Sequence, residues 1–317
     1  MLHVSSVLVQ AGIIGLAVVA PLTASEIEVV KDIAYLGPDR MEKMDAYLPT
    51  ATSPQPRPAV MWIHGGGWST GSKSGRRESG ICRTLAMHGY VAFSIDYLIT
   101  RNMAKSRAVG APPSDPNDEN EVDEGTESPV PWPQNLYDCK SALRYIRKES
   151  ARFNCDPNRI AVAGGSAGGH LALLVGLTAQ VQALNTGGLY TDQSNQVACI
   201  LDFYGPTTVD AAKRVRKFAG KTPEETKANI LAASPLTYVA KDSPPTLILH
   251  GTKDGTTDPA MSRNLNRRMD ESGTVHQYVI VEGAGHSFDL QNSGTDLRPV
   301  VLQFLATHLA GAPATKP

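Results

Sequence analysis

The 317-residue chain is poor in several things that would have fixed its class at once. Four cysteines are too few for the dense disulfide framework that holds small secreted scaffolds together, so a hydrophobic core must do that work. Aromatic residues make up only 6% of the chain, and its formal net charge of −1 supplies no basic face for polyphosphate. Nucleic acid is therefore not an expected partner. No apolar run reaches the length of a membrane-crossing helix, which excludes a stable membrane partner of that kind. No internal repeat, no Cys/His metal cluster, no Gly-x-Gly-x-x-Gly fingerprint and no Walker lysine after a glycine loop is present, so no cofactor is expected.

What is present begins with Ile160-Ala161-Val162-Ala163-Gly164-Gly165-Ser166-Ala167-Gly168-Gly169-His170, a short apolar strand that runs straight into a helical stretch predicted over His170 to Gln180. A turn this tight pushes the serine side chain out of the sheet edge, and it requires small neighbours, here Gly164, Gly168 and Gly169. At a helix N-terminus, Ser166 also sits where backbone N–H groups favour the negative charge of an acyl-transfer intermediate.

Two further motifs lie upstream and downstream. The apolar strand Pro58 to Ile63 closes on His64-Gly65-Gly66-Gly67-Trp68, whose bare amides suit an oxyanion; Gly66 and Gly67, with Ala167 after the nucleophile, are the candidate oxyanion hole. Downstream, Thr246 to Leu249 forms a buried strand leading to His250-Gly251-Thr252-Lys253-Asp254. A helix with apolar spacing at Met261, Leu265 and Met269 follows, then the strand Gln277 to Val281, then Gly283-Ala284-Gly285-His286. A right-handed crossover returns Asp254 and His286 to the sheet edge that carries Ser166. The order Ser166, Asp254, His286 predicts a nucleophile, an orienting acid and a general base.

These residues resemble the α/β-hydrolase esterase/lipase group related to hormone-sensitive lipase, and within it the small bacterial acetyl-xylan and feruloyl esterases with a minimal cap. The likeness rests on His64-Gly65-Gly66-Gly67-Trp68, Gly165-Ser166-Ala167-Gly168-Gly169-His170, His250-Gly251-Thr252-Lys253-Asp254, Gly283-Ala284-Gly285-His286 and Asp156-Pro157-Asn158-Arg159-Ile160, and spans roughly residues 28 to 309. It implies a mostly parallel sheet with helices on both faces, and a serine carboxylic-ester hydrolase acting on short acyl or cinnamoyl esters, small or polysaccharide-linked. Amide cleavage of the kynurenine formamidase or prolyl-oligopeptidase kind uses the same motifs, although this chain is too short for a propeller domain. A non-catalytic binding module on the same scaffold is the reading from a different class.

Relatives carry Asp-x-x-Val-Pro where this chain reads Asp254-Gly255-Thr256-Thr257-Asp258-Pro259, so Asp258 rivals Asp254 as the acid. Asp254 is preferred because it follows the strand directly, whereas Asp258 precedes Pro259 at an expected helix start. Asp202, ending the strand Val197 to Asp202, is a more distant rival. His64 and His250 are expected to make structural hydrogen bonds, and His170 to pack. Trp68, Tyr97, Trp132 and Tyr204 are candidates for a pocket lining.

The expected organisation is a leader at 1–25, one hydrolase domain over 26–312 and a tail at 313–317. The leader has an apolar run, Val7 to Ala20, and a small-residue cleavage site near Ala24, but no Lys or Arg before the run. It points to a secreted or periplasmic protein, with a cytoplasmic or anchored form as the alternative. Glu26 to Pro49 reads as a hairpin turning near Gly37-Pro38-Asp39. An acidic loop over 100–131 carries Asp115, Asp118, Glu119, Glu121, Asp123, Glu124 and Glu127. A small cap is expected over 205–243, with helices around Ala211 to Lys217 and Pro223 to Ala233.

Overall fold

The computed structural model describes residues 26–100, 132–209, 218–292 and 294–310. The leader, the acidic loop beyond Thr100, the helix expected at 211–217 and the tail lie outside these residues.

Eight strands form one sheet: β1 (Ile27–Ile33), β2 (Met44–Pro49), β3 (Arg57–Ile63), β4 (Val91–Ile95), β5 (Cys155–Gly165), β6 (Cys199–Phe203), β7 (Thr246–Gly251) and β8 (His276–Val281). Their spatial order is β1-β2-β4-β3-β5-β6-β7-β8. β2 is antiparallel to both its neighbours and every other pairing is parallel, so the predicted hairpin adds the one reversed strand. β3, β4, β6 and β7 are almost wholly buried, as continuous apolar runs covered on both faces must be.

Six α-helices lie among the described residues, α1 (Arg76–Met87), α2 (Gln134–Lys148), α3 (Ala167–Leu177), α4 (Pro223–Ala232), α5 (Ala260–Ser272) and α6 (Arg298–His308); α4, which buries none of its residues, lies in the expected cap region, and the other five pack in the layers on the sheet. Ile81 and Leu85 of α1 join Val301, Phe304 and Leu305 of α6 in one core, and Leu136, Leu143, Leu171, Leu174, Leu265 and Met269 of α2, α3 and α5 form the other. The sheet therefore separates two apolar layers, the arrangement expected of this fold. α3 is buried along its whole length and is accordingly apolar all round rather than amphipathic.

The predicted bounds of the elbow helix and of the strand before the cap move, the helix ending at Leu177 rather than Gln180. The elbow helix begins at Ala167 and not His170, because the tight turn passes into helix with no linker after Ser166. The strand before the cap is Cys199–Phe203, one residue beyond Asp202, since Gly165 pairs with Phe203 at the elbow. All four cysteines are buried free thiols. Among the described residues no helix is long and apolar enough to cross a membrane.

Candidate active site

The site assembles at the C-terminal ends of β3, β5, β7 and β8, the edge where open α/β sheets place their chemistry. At the end of β5, Ser166 has φ 55° and ψ −123°, a conformation that costs an L-residue about 1–3 kcal/mol. It is fixed by its N–H donating to the Phe203 carbonyl at 2.9 Å and its carbonyl accepting from His170 N–H at 3.0 Å. The glycines around it are there for room. A Cβ on Gly168 would stand 2.0 Å from the Ile63 carbonyl oxygen, and one on Gly164 would stand 2.4 Å from that of Gly168.

His286 Nε2 is 2.8 Å from Ser166 Oγ, and His286 Nδ1 is 2.8 Å from Asp254 Oδ2. With the hydroxyl donating to Nε2 and Nδ1–H donating to the carboxylate, the ring is in the tautomer that can accept the serine proton. The Asp254 carboxylate is buried, while the imidazole keeps 16% exposure toward the site.

Asp254 holds more than this one bond. Its Oδ1 accepts the Thr256 and Thr257 N–H groups at 2.8 Å each. Its Oδ2 also lies 3.1 Å from His250 Nε2. Burial opposes the charge, but hydrogen bonds from His250, His286 and the Thr257 amide outweigh it and hold the Asp254 carboxyl well below the usual carboxylate range. His250 is itself fixed, with Nε2 3.0 Å from the Thr257 carbonyl and Nδ1 2.7 Å from Ser262 Oγ. Its direct contact with the acid was missed in the sequence, where His250 stood only as a loop anchor; the signal was its place four residues before Asp254 at a strand end.

The rival acids lie elsewhere. Asp258 is exposed and accepts the Ala260 N–H at 2.8 Å, at the start of α5. Asp202 is fully buried and packs against the elbow helix, where a Cβ on Gly169 would stand 2.5 Å from its Oδ1, and that oxygen accepts the Gly205 N–H at 2.9 Å.

The glycine loop stands against the elbow: a Cβ on Gly65 would be 3.3 Å from Ser166 Cβ and 3.0 Å from the Gly165 carbonyl oxygen. Gly66 has φ +102°, and a Cβ there would meet the Thr70 carbonyl oxygen at 2.3 Å. That turn is closed by Ser69 and Thr70 N–H groups donating to the Gly66 carbonyl at 3.0 Å each. Beyond it, Lys73 Nζ reaches Asp45 at 2.7 Å and Asp32 at 2.9 Å, and Ser94 Oγ donates to the Lys73 carbonyl at 2.8 Å. Trp68 Nε1–H donates to His170 Nδ1 at 3.2 Å, and His170 Nε2–H donates to the Ala233 carbonyl at 2.7 Å. His170 therefore ties the glycine loop, the elbow helix and the end of α4 together.

The four aromatics expected to line a pocket serve mainly as packing. Trp68 and Tyr97 are buried, the latter stacked on His64 at 4.4 Å, and Trp132 packs on Phe218. Tyr204 sets its ring edge-to-face against His286 at 4.8 Å and donates to the Phe288 carbonyl, so it braces the base. Among the described residues no group of three or more His, Cys, Asp or Glu side chains could hold a metal ion.

The family model BD-FAE matches residues 44–109 and 124–269. The chain belongs to the BD-FAE family. Relatives of this family member include the esterase LipC of Mycobacterium tuberculosis, 30% identical over 80% of this chain and 59% of its own, and the esterase LipQ of the same organism, 27% identical over 82% and 57%. The chain thus spans a little over half the length of these curated relatives. Among solved structures, a truncated carbohydrate esterase from gut microbiota superimposes with TM-score 0.72 at 23% identity, covering 91% of this chain and 98% of that one. Thermogutta terrifontis esterase 2 phosphonylated by cyclosarin superimposes with TM-score 0.62 at 25% identity, covering 90% and 92%. The fold of this BD-FAE member is that of the α/β-hydrolases.

Proposed function

We propose that this protein is a serine carboxylic-ester hydrolase that works through an acyl-enzyme and takes short acyl or cinnamoyl groups carried on sugars or polysaccharide. The single observation behind this reading is the unbroken hydrogen-bond chain from Ser166 Oγ through His286 to the buried Asp254. In this scheme His286 Nε2 takes the hydroxyl proton as Ser166 Oγ bonds to the ester carbonyl carbon. The Asp254 carboxylate keeps the ring oriented and stabilises the imidazolium. The carbonyl oxygen, now an oxyanion, is held by the amides of Gly66, Gly67 and Ala167. Collapse breaks the bond to the alkoxy group, which leaves with the proton from His286, and water repeats the sequence to release the acid.

A carbohydrate-borne ester is in keeping with the similarity to the gut carbohydrate esterase, while the short or cinnamoyl acyl group rests on the motif resemblance alone. Export is part of the same reading, since a polymer-linked substrate must be met outside the cell, and the apolar run Val7 to Ala20 with small residues to Ala24 fits a cleaved leader. Initial rates on p-nitrophenyl acetate, butyrate and octanoate, methyl ferulate and acetylated xylan, with Ser166→Ala as control, test the proposal. Turnover of acetate, ferulate or xylan esters that vanishes in the variant supports it. A maximum at octanoate replaces the acyl preference, and no Ser166-dependent turnover overturns the esterase reading.

A further inference from the structure

At the far end of α3 from Ser166, about 16 Å away along eleven helical residues, the segment after Thr178 and Arg144 of α2 line an open cavity of about 350 Å³. Its floor contains Arg144, Asn185 and Asn195, and its rim contains Gln182, Thr191 and Ser194. Arg144 is 1% exposed and Asn195 is 7% exposed, whereas the rim side chains are open to solvent.

The electrostatics of this floor, and of Lys140 packed behind it, are unusual. Arg144 Nε donates to Asn195 Oδ1 at 2.9 Å, and its Nη1 to the Gly187 and Leu189 carbonyls at 3.2 Å each. Its Nη2 reaches only the Asn185 carbonyl, at 3.5 Å, the outer limit of a hydrogen bond. One turn earlier on α2, the fully buried Lys140 Nζ is surrounded by the Thr178 carbonyl and hydroxyl, the Leu184 carbonyl and Asn185 Oδ1, at 2.6 to 3.1 Å. Every one of these acceptors is neutral. Neither cation makes an ion pair among the described residues, and burial pushes both toward the uncharged form, Lys140 to about 7. The nearest acid on the rim segment, Asp192, is exposed and accepts from Gln193 Nε2 at 2.9 Å. Of the two, Arg144 lines the cavity, so an anion bound there would meet a buried guanidinium that makes no ion pair among the described residues.

We propose that this cavity is an accessory binding site for the carboxylate of a sugar acid. Arg144 Nη2 keeps one N–H for a carboxylate oxygen, since Nε and both Nη1 hydrogens are taken by Asn195, Gly187 and Leu189. The amides and hydroxyls of the rim both donate and accept, as a polyol requires. The volume is larger than a bare anion needs and falls at the small end of ligand pockets. No part of this assignment depends on the ester chemistry at Ser166.

Isothermal titration of the full chain with sodium glucuronate, glucose, sodium acetate and inorganic phosphate tests it. Glucuronate is expected to bind saturably, with glucose and acetate at least about tenfold weaker, since each supplies half the contacts. Arg144→Gln removes the charge and should weaken glucuronate by a further factor of about ten or more. Thr191→Trp fills the mouth from an exposed position, so it should abolish binding while p-nitrophenyl acetate hydrolysis is unchanged; it carries the test if Arg144→Gln does not fold. No saturable glucuronate binding, phosphate or acetate binding as tightly as glucuronate, or binding that survives Thr191→Trp would each overturn the assignment.

Discussion

Asp202 gives the sharpest physical prediction. It is fully buried, its Oδ1 accepts one N–H from Gly205, and its Oδ2 has no hydrogen-bond partner. Burial pushes its carboxyl up to about 7, against smaller opposing effects of His250 and the Gly205 amide. In the unfolded chain the same group titrates near about 3.9. Below about pH 4 it is protonated in both states; between about 4 and 7 the unfolded chain loses the proton while the native protein keeps it, so stability falls as pH rises through that window. The linked free energy is at most about 4 kcal/mol. Asp202→Asn keeps the shape and the Gly205 bond but cannot titrate, and its amide N–H groups add a pH-independent cost of about 1–3 kcal/mol. Urea unfolding of both proteins from pH 4 to 8 should therefore show the variant gaining on the wild type by up to about 4 kcal/mol as pH rises. A difference constant across that range would refute the buried, proton-holding Asp202.

Other variants probe the site directly. Gly66→Ala puts a Cβ 2.3 Å from the Thr70 carbonyl oxygen, so the turn must open and carry its amides off target; kcat should fall on the order of 10²–10³-fold with KM little changed. His250→Leu removes a donor to the Asp254 carboxylate and should lower kcat/KM by about 10–100-fold, with His250→Gln recovering much of the loss by restoring an N–H; equal effects of both would deny the positioning role. Asp254→Asn should cost on the order of 10⁴ in kcat, while Asp258→Asn loses only a helix-start contact and stays within about twofold; the reverse ranking would exchange their roles.

Much of this site was legible because its demands are local. A serine between glycines after an apolar strand specifies a turn with no room for side chains, and Gly164 and Gly168 do sit within 2.4 Å of a backbone carbonyl if given a Cβ. The meeting of Asp254 and His286 followed from a strand, helix, strand unit whose handedness is fixed. What could not be read depends on contacts between distant segments. Nothing near His250 says that its ring turns toward Asp254 and Ser262, nothing near Tyr204 says that it packs on His286, and the elbow helix was started three residues late because glycines read as loop. Asp202 looked like a rival acid from its strand end, but its Oδ1 is held by the Gly205 N–H against the elbow helix, and it is Asp254 that meets His286.

The central claim is that Ser166 is the nucleophile, activated by His286. Treating the protein with a fluorophosphonate and mapping the adduct by peptide mass spectrometry tests it most directly. One phosphonyl group is expected, on Ser166, formed at a rate that drops by orders of magnitude in His286→Ala. An adduct on another residue, or labelling of Ser166 indifferent to His286, would contradict it.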